Sequence, residues 1–232
     1  MMISSSPVTD SSRPLTSDQD AFALKRVWES VAADSCPSRY NFHMHTSCSD
    51  GQLSPEALIE QALTIGLQGL AITDHHSVRG FIAARRWLEA AGKNGPHLWT
   101  GVEITSNLEG TEVHLLGYAF APDCEALTPY LQGDRPHGEA SCAERVIAAI
   151  HEAGGLAVLA HPSRYSQSAE RLIPAAARRG IDGVEAYYAY GNPKPWQPSR
   201  QQTQLALQLA QEYGLLTTCG TDTHGSSLLR RI

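Results

Sequence analysis

The five cysteines, at positions 36, 48, 124, 142 and 219, include no C-x-x-C pair and are odd in number. That usage argues against a disulfide framework and suits a reducing cytosol. An excess of basic charge is missing as well: 18 Lys and Arg against 24 Asp and Glu leave a formal net charge of −6. A broad basic groove for long nucleic acid is therefore not expected, although metal ions and a few arginines could hold a small anionic substrate. No run of about eighteen apolar residues exists, so no spanning helix is expected. The opening stretch MMISSSPVTDSSRPLTSDQD has neither the basic start nor the apolar centre of a secretory signal. Its Ser, Pro and Asp offer little to bury against the entropy of ordering. Residues 1–19 are thus expected to form a solvated tail, and the protein to be cytoplasmic.

What is present is enough apolar material for a sizeable core, 42% of 232 residues, in a length normal for one α/β barrel domain. Asp20 to Ala33 places Phe22, Val27, Trp28 and Val31 near helical spacing and predicts a helix docked outside the domain, with a linker to residue 38. From Tyr40 onward short apolar strands alternate with helices. Tyr40–His45 is the first strand. A helix over Glu56–Ile65 has Ser54 as cap, Pro55 at its first position and Gly66 as its left-handed stop. Gly69–Thr73 is a buried strand, Phe81–Ala91 a helix, Leu98–Ile104 a third strand, and Glu112–Phe120 a returning strand after the turn at Asn107–Gly110. Ala121–Gly138, rich in Pro, Gly and charge, reads as a lid, a substrate loop or plain surface. Helices over Glu139–Ala153, Ala169–Arg179 and Gln201–Tyr213 alternate with strands over Leu156–Ala160, Gly183–Tyr188 and Leu215–Thr221. Seven strands in mostly βα order predict a barrel or an open parallel sheet.

The polar residues fall in a pattern on this framework. NFHMHTSCSD opens it: in a strand, the period of two sends His43 and His45 to one face and Phe42 and Met44 to the other, with Asp50 five residues on. An H-x-H alone is a chance-level signal. Nearly every later strand, however, ends in or contains His75, Glu103, His114, His161, Asp222 or His224. If the strand ends converge on one mouth, these side chains meet. Imidazole plus carboxylate without thiolate suits zinc, manganese or iron in catalytic use. Nine ligands are too many for one ion and about right for two or three.

HMHTSCSDG, ITDHH, GVEIT with EVHLLGY, LAVLAHPSRY and CGTDTHG resemble the successive motifs of the polymerase and histidinol phosphatase (PHP) superfamily of metal-dependent phosphoesterases, over about Tyr40–His224. The resemblance implies a single domain over residues 39–232, folded as a distorted (β/α)7 barrel. It implies that His43, His45, Glu103 and Asp222 hold one metal, that Glu103 bridges to a second held by His114 and His161, and that Asp50, His75 and His224 hold a third. Glu103, His161 and Asp222 are the residues expected to carry catalysis. The nearest branch resembles bacterial enzymes that cleave phosphate from nucleotide 3',5'-bisphosphates or shorten oligonucleotides. Their helical insert between the fourth and fifth strands is replaced here by the short loop Ala121–Gly138, so substrate identity does not carry over. His76 stands where the family often has Asp or Asn.

The activity expected is hydrolysis of a phosphomonoester or short nucleotide by metal-activated hydroxide, with no membrane and no stable protein partner. Histidinol phosphatase, or a metal-stabilised scaffold without activity, are the alternatives. Arg164, three residues past His161, is the leading phosphate contact, ahead of Arg135 and Lys194. His97, His137, His151 and Cys48 read as structural or solvated. Tyr187, Tyr188, Tyr190 and Trp196 read as a packing cluster or as a stacking surface for a base.

Overall fold

The computed structural model describes residues 20–92 and 95–232, so the expected tail at residues 1–19 lies outside the described residues. The first helix, α1 (Ala21–Trp28), begins where Asp20 accepts hydrogen bonds from the N–H groups of Phe22 and Ala23. It is shorter than the apolar spacing predicts. Leu24 and Trp28 are its buried face, whereas Phe22 is exposed. Trp28 packs edge-on to Phe42 and Tyr118, so the helix is seated directly beneath the H-x-H strand.

Two sheets follow. β1 (Tyr40–Asn41), β2 (Gly69–Ala71) and β3 (His97–Trp99) are parallel, in that order. β4 (Gly101–Leu108), β5 (Thr111–Tyr118), β6 (Leu156–Leu159), β7 (Gly183–Tyr187) and β8 (Leu216–Cys219) form the second sheet in chain order. β5 runs antiparallel to both neighbours, and β6, β7 and β8 are parallel. The open parallel sheet is thereby corrected to a mixed one, while the expected turn is present: Glu109 and Gly110, both with positive φ, turn the chain back on itself between β4 and β5. The predicted third strand is split, because the chain changes partners at Thr100.

Backbone bonds join the two sheets at both edges. Phe42 N donates to Cys219 O, Asp222 N to His43 O, and His45 N to Thr223 O, which ties the continuation of β1 to that of β8. On the other side Glu103 N donates to Asp74 O and His76 N to Glu103 O, so the continuation of β2 runs beside β4. The first strand is thus only two residues long as a ladder, but its extended course reaches His45 as the alternation requires. Phe42 and Met44 enter two different apolar clusters, and His43 and His45 share the remaining face.

The helices pack outside the sheets in a mixed α/β single domain. α2 (Pro55–Ile65) has the predicted Ser54 cap, Pro55 start and Gly66 stop at φ 84°. α3 (Arg79–Ala91) starts two residues early and α4 (Ala143–Glu152) four residues late, its expected first turn lying in a separate 3-10 turn; α5 (Ala169–Ala177) and α6 (Arg200–Tyr213) occupy the expected places to within two residues. The loop after β5 carries short 3-10 turns at Glu125–Tyr130 and Gly138–Ser141. Gly133 N donates to His76 O, pinning this loop beside the end of β2.

Candidate metal centre

The strand ends deliver their polar residues to one place. His43 and His45 come from the extension of β1, His75 from that of β2, His161 from the end of β6, and Asp222 and His224 from beyond β8. Glu103 and His114 instead sit within β4 and β5; the antiparallel return lets a mid-strand residue reach the same mouth. Asp222 and His161 have positive φ, 53° and 26°. A left-handed bend at a residue other than glycine costs about 1–3 kcal/mol and persists where surroundings fix it. Here it swings each side chain off its strand into the cluster.

Glu103 is the hub. Its Oε2 lies 3.0 Å from His43 Nε2 and 2.9 Å from His45 Nε2, and its Oε1 lies 2.6 Å from His114 Nδ1 and 3.3 Å from His161 Nε2. One carboxylate thus faces two separate pairs of imidazoles. Asp222 Oδ1 lies 3.3 Å from both His43 Nε2 and His45 Nε2 and 3.4 Å from His224 Nδ1. Asp50 closes the third side, 3.2 Å from His224, 3.5 Å from His45 and 3.7 Å from His75. All nine residues named from the sequence therefore form one connected network. Three groups have ligand atoms close enough to share an ion: His43, His45, Glu103 and Asp222; His45, Asp50, His75 and His224; and His75, Glu103 and His114. His45 thus stands beside the Asp50 group as well as the Glu103 group, and His75 beside two.

The donor set fits divalent cations. Both ring nitrogens of His45 and Nδ1 of His161 are buried without a hydrogen bond, although acceptor oxygens stand nearby. Such groups are costly to leave unpaired, and a cation among them removes the cost. Burial would lower the pKa of His43, but Glu185, Glu103 and Asp222 outweigh it and hold the ring well above the ordinary histidine range. Burial is likewise outweighed at His45 by Asp222 and Glu103, which raise it to about 9. His75 goes the other way, lowered to about 4 by burial. Burial opposes ionisation of Glu103 as well, yet the imidazoles around it take its pKa well below the usual range.

These shifts predict the behaviour of the chelated protein. A histidine whose folded pKa is raised adds stability that is complete below its unfolded value of about 6.5 and is lost as pH rises through the folded value. Chelated protein should therefore lose thermal stability as pH rises through about 9, the His45 value. Divalent ions displace those protons, so metal-loaded protein should not show this loss. Parallel melting curves with and without chelator check this.

A shell of residues that sequence reading missed holds the ligands. Glu185, in β7 and 1% exposed, accepts from His43 Nδ1 at 2.9 Å through Oε1 and from His161 N at 2.9 Å through Oε2. With Nδ1–H donated outward, Nε2 of His43 is left to face the cluster. Asp74, buried, accepts from Thr46 N, Thr46 Oγ1 and Ser49 Oγ, each at 2.7 Å, and so sets the loop that carries Asp50. A Cβ at Gly220 would collide with the Cβ and N of His43 and with Glu185 Oε1. Gly220→Ala should therefore destabilise the protein by several kcal/mol, on the order of core overpacking or worse; an unchanged melting temperature would contradict this packing.

The weaker predictions sort clearly. Arg164 points inward, its Nη1 2.9 Å from Asp222 Oδ2 and 3.2 Å from Tyr188 Oη. Arg135 pairs with Glu112 at the surface, and Lys194 lines a separate cavity with Pro37, Trp196 and Leu229. Tyr187, Tyr188 and Trp196 are buried, which favours packing over a base-stacking surface. His76 takes no part in the cluster; its Nε2 lies 3.2 Å from Thr105 Oγ1. His151 pairs with Asp182, and His97 lies against Trp99.

The PHP domain family model matches residues 41–225. The chain belongs to the PHP family. This family of metal-dependent phosphoesterases includes the 5'-3' exoribonuclease Rnm of Escherichia coli, which is 29% identical over 80% of this chain and 85% of that protein. A 3',5'-nucleoside bisphosphate phosphatase from Chromobacterium violaceum is 31% identical over 49% of this chain and 39% of its own length. Among solved structures, one assigned as a metal-dependent phosphoesterase from Bifidobacterium adolescentis superposes with a TM-score of 0.66 at 25% identity, covering 82% of this chain and 89% of that one. This PHP protein is a metal-dependent phosphoric ester hydrolase. Among its described residues no helix is long and apolar enough to cross a membrane.

Proposed function

We propose that this PHP enzyme hydrolyses a phosphate ester of a phosphomonoester, a nucleotide or a short oligonucleotide, in the cytoplasm and without a stable protein partner. The two-sided surround of Glu103 is the observation that carries the metal-dependent hydrolysis in this reading. We further propose a distorted (β/α)7 barrel, with β3 and β4 counted as one strand. The backbone bonds from β1 to β8 and from β2 to β4 support that closure.

On this reading two or three divalent ions would be held, at up to three positions. His43, His45, Glu103 and Asp222 surround the first. Glu103 reaches the second, with His114 and His161. Asp50, His75 and His224 would hold the third. Manganese, zinc and iron all suit these donors. Divalent ions supply an activated water nucleophile near neutral pH and neutralise charge on phosphoryl oxygens.

The chain's own residues orient and hold. Glu185 fixes the His43 tautomer, Asp74 fixes the Asp50 loop, and Arg164 offers a guanidinium fork toward the mouth. The exoribonuclease and bisphosphate phosphatase among the relatives support a nucleotide-type substrate.

Asp50→Asn should lose one ion while the ion at His43 and His45 stays, since Asp50 Oδ2 faces His224 and His75, and its Oδ1 approaches His45 only at Nδ1, at 3.5 Å, whereas the Nε2 of His45 faces Glu103. Metal content per chain by mass spectrometry checks it, and loss of every ion would contradict the division. Activity itself is tested, with added manganese, by phosphate release from nucleoside monophosphates and 3',5'-bisphosphates and by nucleotide release from short RNA. Release from none of them would overturn the substrate reading.

A further inference from the structure

Asp222 carries more positive charge than it needs. Its Oδ1 faces the imidazoles, while its Oδ2 accepts from Tyr188 Oη at 2.7 Å, Arg164 Nη1 at 2.9 Å and Arg231 Nε at 2.8 Å. Tyr188 and Arg164 already satisfy that oxygen. Arg231 adds a second guanidinium to a single carboxylate, and the two side chains are 38% and 26% exposed. Among the described residues no partner takes the Nη atoms of Arg231. Two partly exposed guanidiniums are therefore anchored on one metal-side carboxylate, with donors to spare beside the cluster.

Arg231 does not owe this position to a need for holding its own segment. Residues 225–232 are attached through the backbone and other side chains: His224 N and Gly225 N donate to Arg231 O, and Thr223 Oγ1 donates to Arg230 O. Leu228, fully buried, also donates its N–H to Gln61 Oε1. These bonds survive truncation of the Arg231 side chain.

We infer that Arg231 and Arg164 form a paired-guanidinium grip that takes the oxygens of the substrate's phosphoryl group, with Asp222 Oδ2 holding both forks in place until the anion arrives. Planar forks match tetrahedral oxyanions by paired N–H bonds, which a lysine cannot reproduce. The inference rests on the phosphoesterase reading for its ligand, but its test does not depend on turnover.

Inorganic phosphate binding to metal-loaded protein is measured by calorimetry for the wild type, Arg231→Gln and Arg231→Lys, with metal content determined on the same samples. Arg231→Gln should weaken phosphate binding about ten- to hundredfold, the scale of lost charge-assisted hydrogen bonds, at wild-type metal content. Arg231→Lys should recover only part of that affinity, and KM for the best substrate should rise in parallel. Two results overturn the grip: unchanged phosphate affinity in Arg231→Gln, or phosphate affinity and metal lost together and both restored by lysine, which marks Arg231 as a support for Asp222 alone. Phosphate binding without any phosphate release by the wild type would instead overturn the hydrolase reading and leave the grip standing.

Discussion

Glu103→Gln is expected to reduce phosphate release by about 10²- to 10³-fold or more, the scale of removing one preorganised charge-stabilising group. The carboxylate is 1% exposed, and its two oxygens serve different imidazole pairs, His43 with His45 and His114 with His161. An amide offers one oxygen and one NH2, so one of the two sides must face a donor that repels a cation. Metal content should fall for both positions that share Glu103, while the Asp50 position is retained. Steady-state rates and metal analysis on one preparation decide it. Activity within tenfold of the wild type would remove Glu103 from the shared position.

The second large effect is expected at Glu185, which touches no proposed ion position. Glu185→Gln should lower metal affinity or activity about 10- to 100-fold, the range for outer partners of ligating histidines. Glutamine still offers an oxygen to His43 Nδ1 or to His161 N, yet it removes a charge that raises the His43 pKa. Glu185→Ala should be worse, because two buried N–H groups lose their acceptor at about 1–3 kcal/mol each. Metal titration of both variants tests the order. Equal affinity for wild type and alanine would show that His43 is oriented by something else.

Much of the site was legible because each ligand follows or lies within an apolar run. GLAIT before Asp74-His75 and LAVLA before His161 announce strands, and strands that share a sheet bring their ends together. The helices α2 and α6 were readable from their glycine stops, Gly66 and Gly214, which adopt the left-handed conformation. Less legible was anything set by pairing at long range. The split at Thr100 and the short ladder of β1 depend on which strand lies beside them, and no local pattern encodes that.

The residues that support the ligands escaped for a similar reason. Glu185 sits inside GVEAY, where a carboxylate in a buried strand was a signal that could have been weighed. Arg231 lies seven residues past His224 in a segment with no periodicity, and only the folding back of residues 225–232 places it on Asp222. The positive φ of His161 and Asp222 is likewise imposed by tertiary bonds. The shortened α1 shows propensity yielding to packing, since Leu24 and Trp28 are buried in the core, Ala21 and Val27 pack against its edge, and Phe22 is left outside.

Anomalous diffraction from crystals grown with manganese tests the central claim most directly. The expected result is density on both sides of the Glu103 carboxylate, one peak among His43, His45 and Asp222 and one beside His114 and His161, with a third at Asp50, His75 and His224. Peaks absent from this cluster, in protein that still releases phosphate, would contradict it.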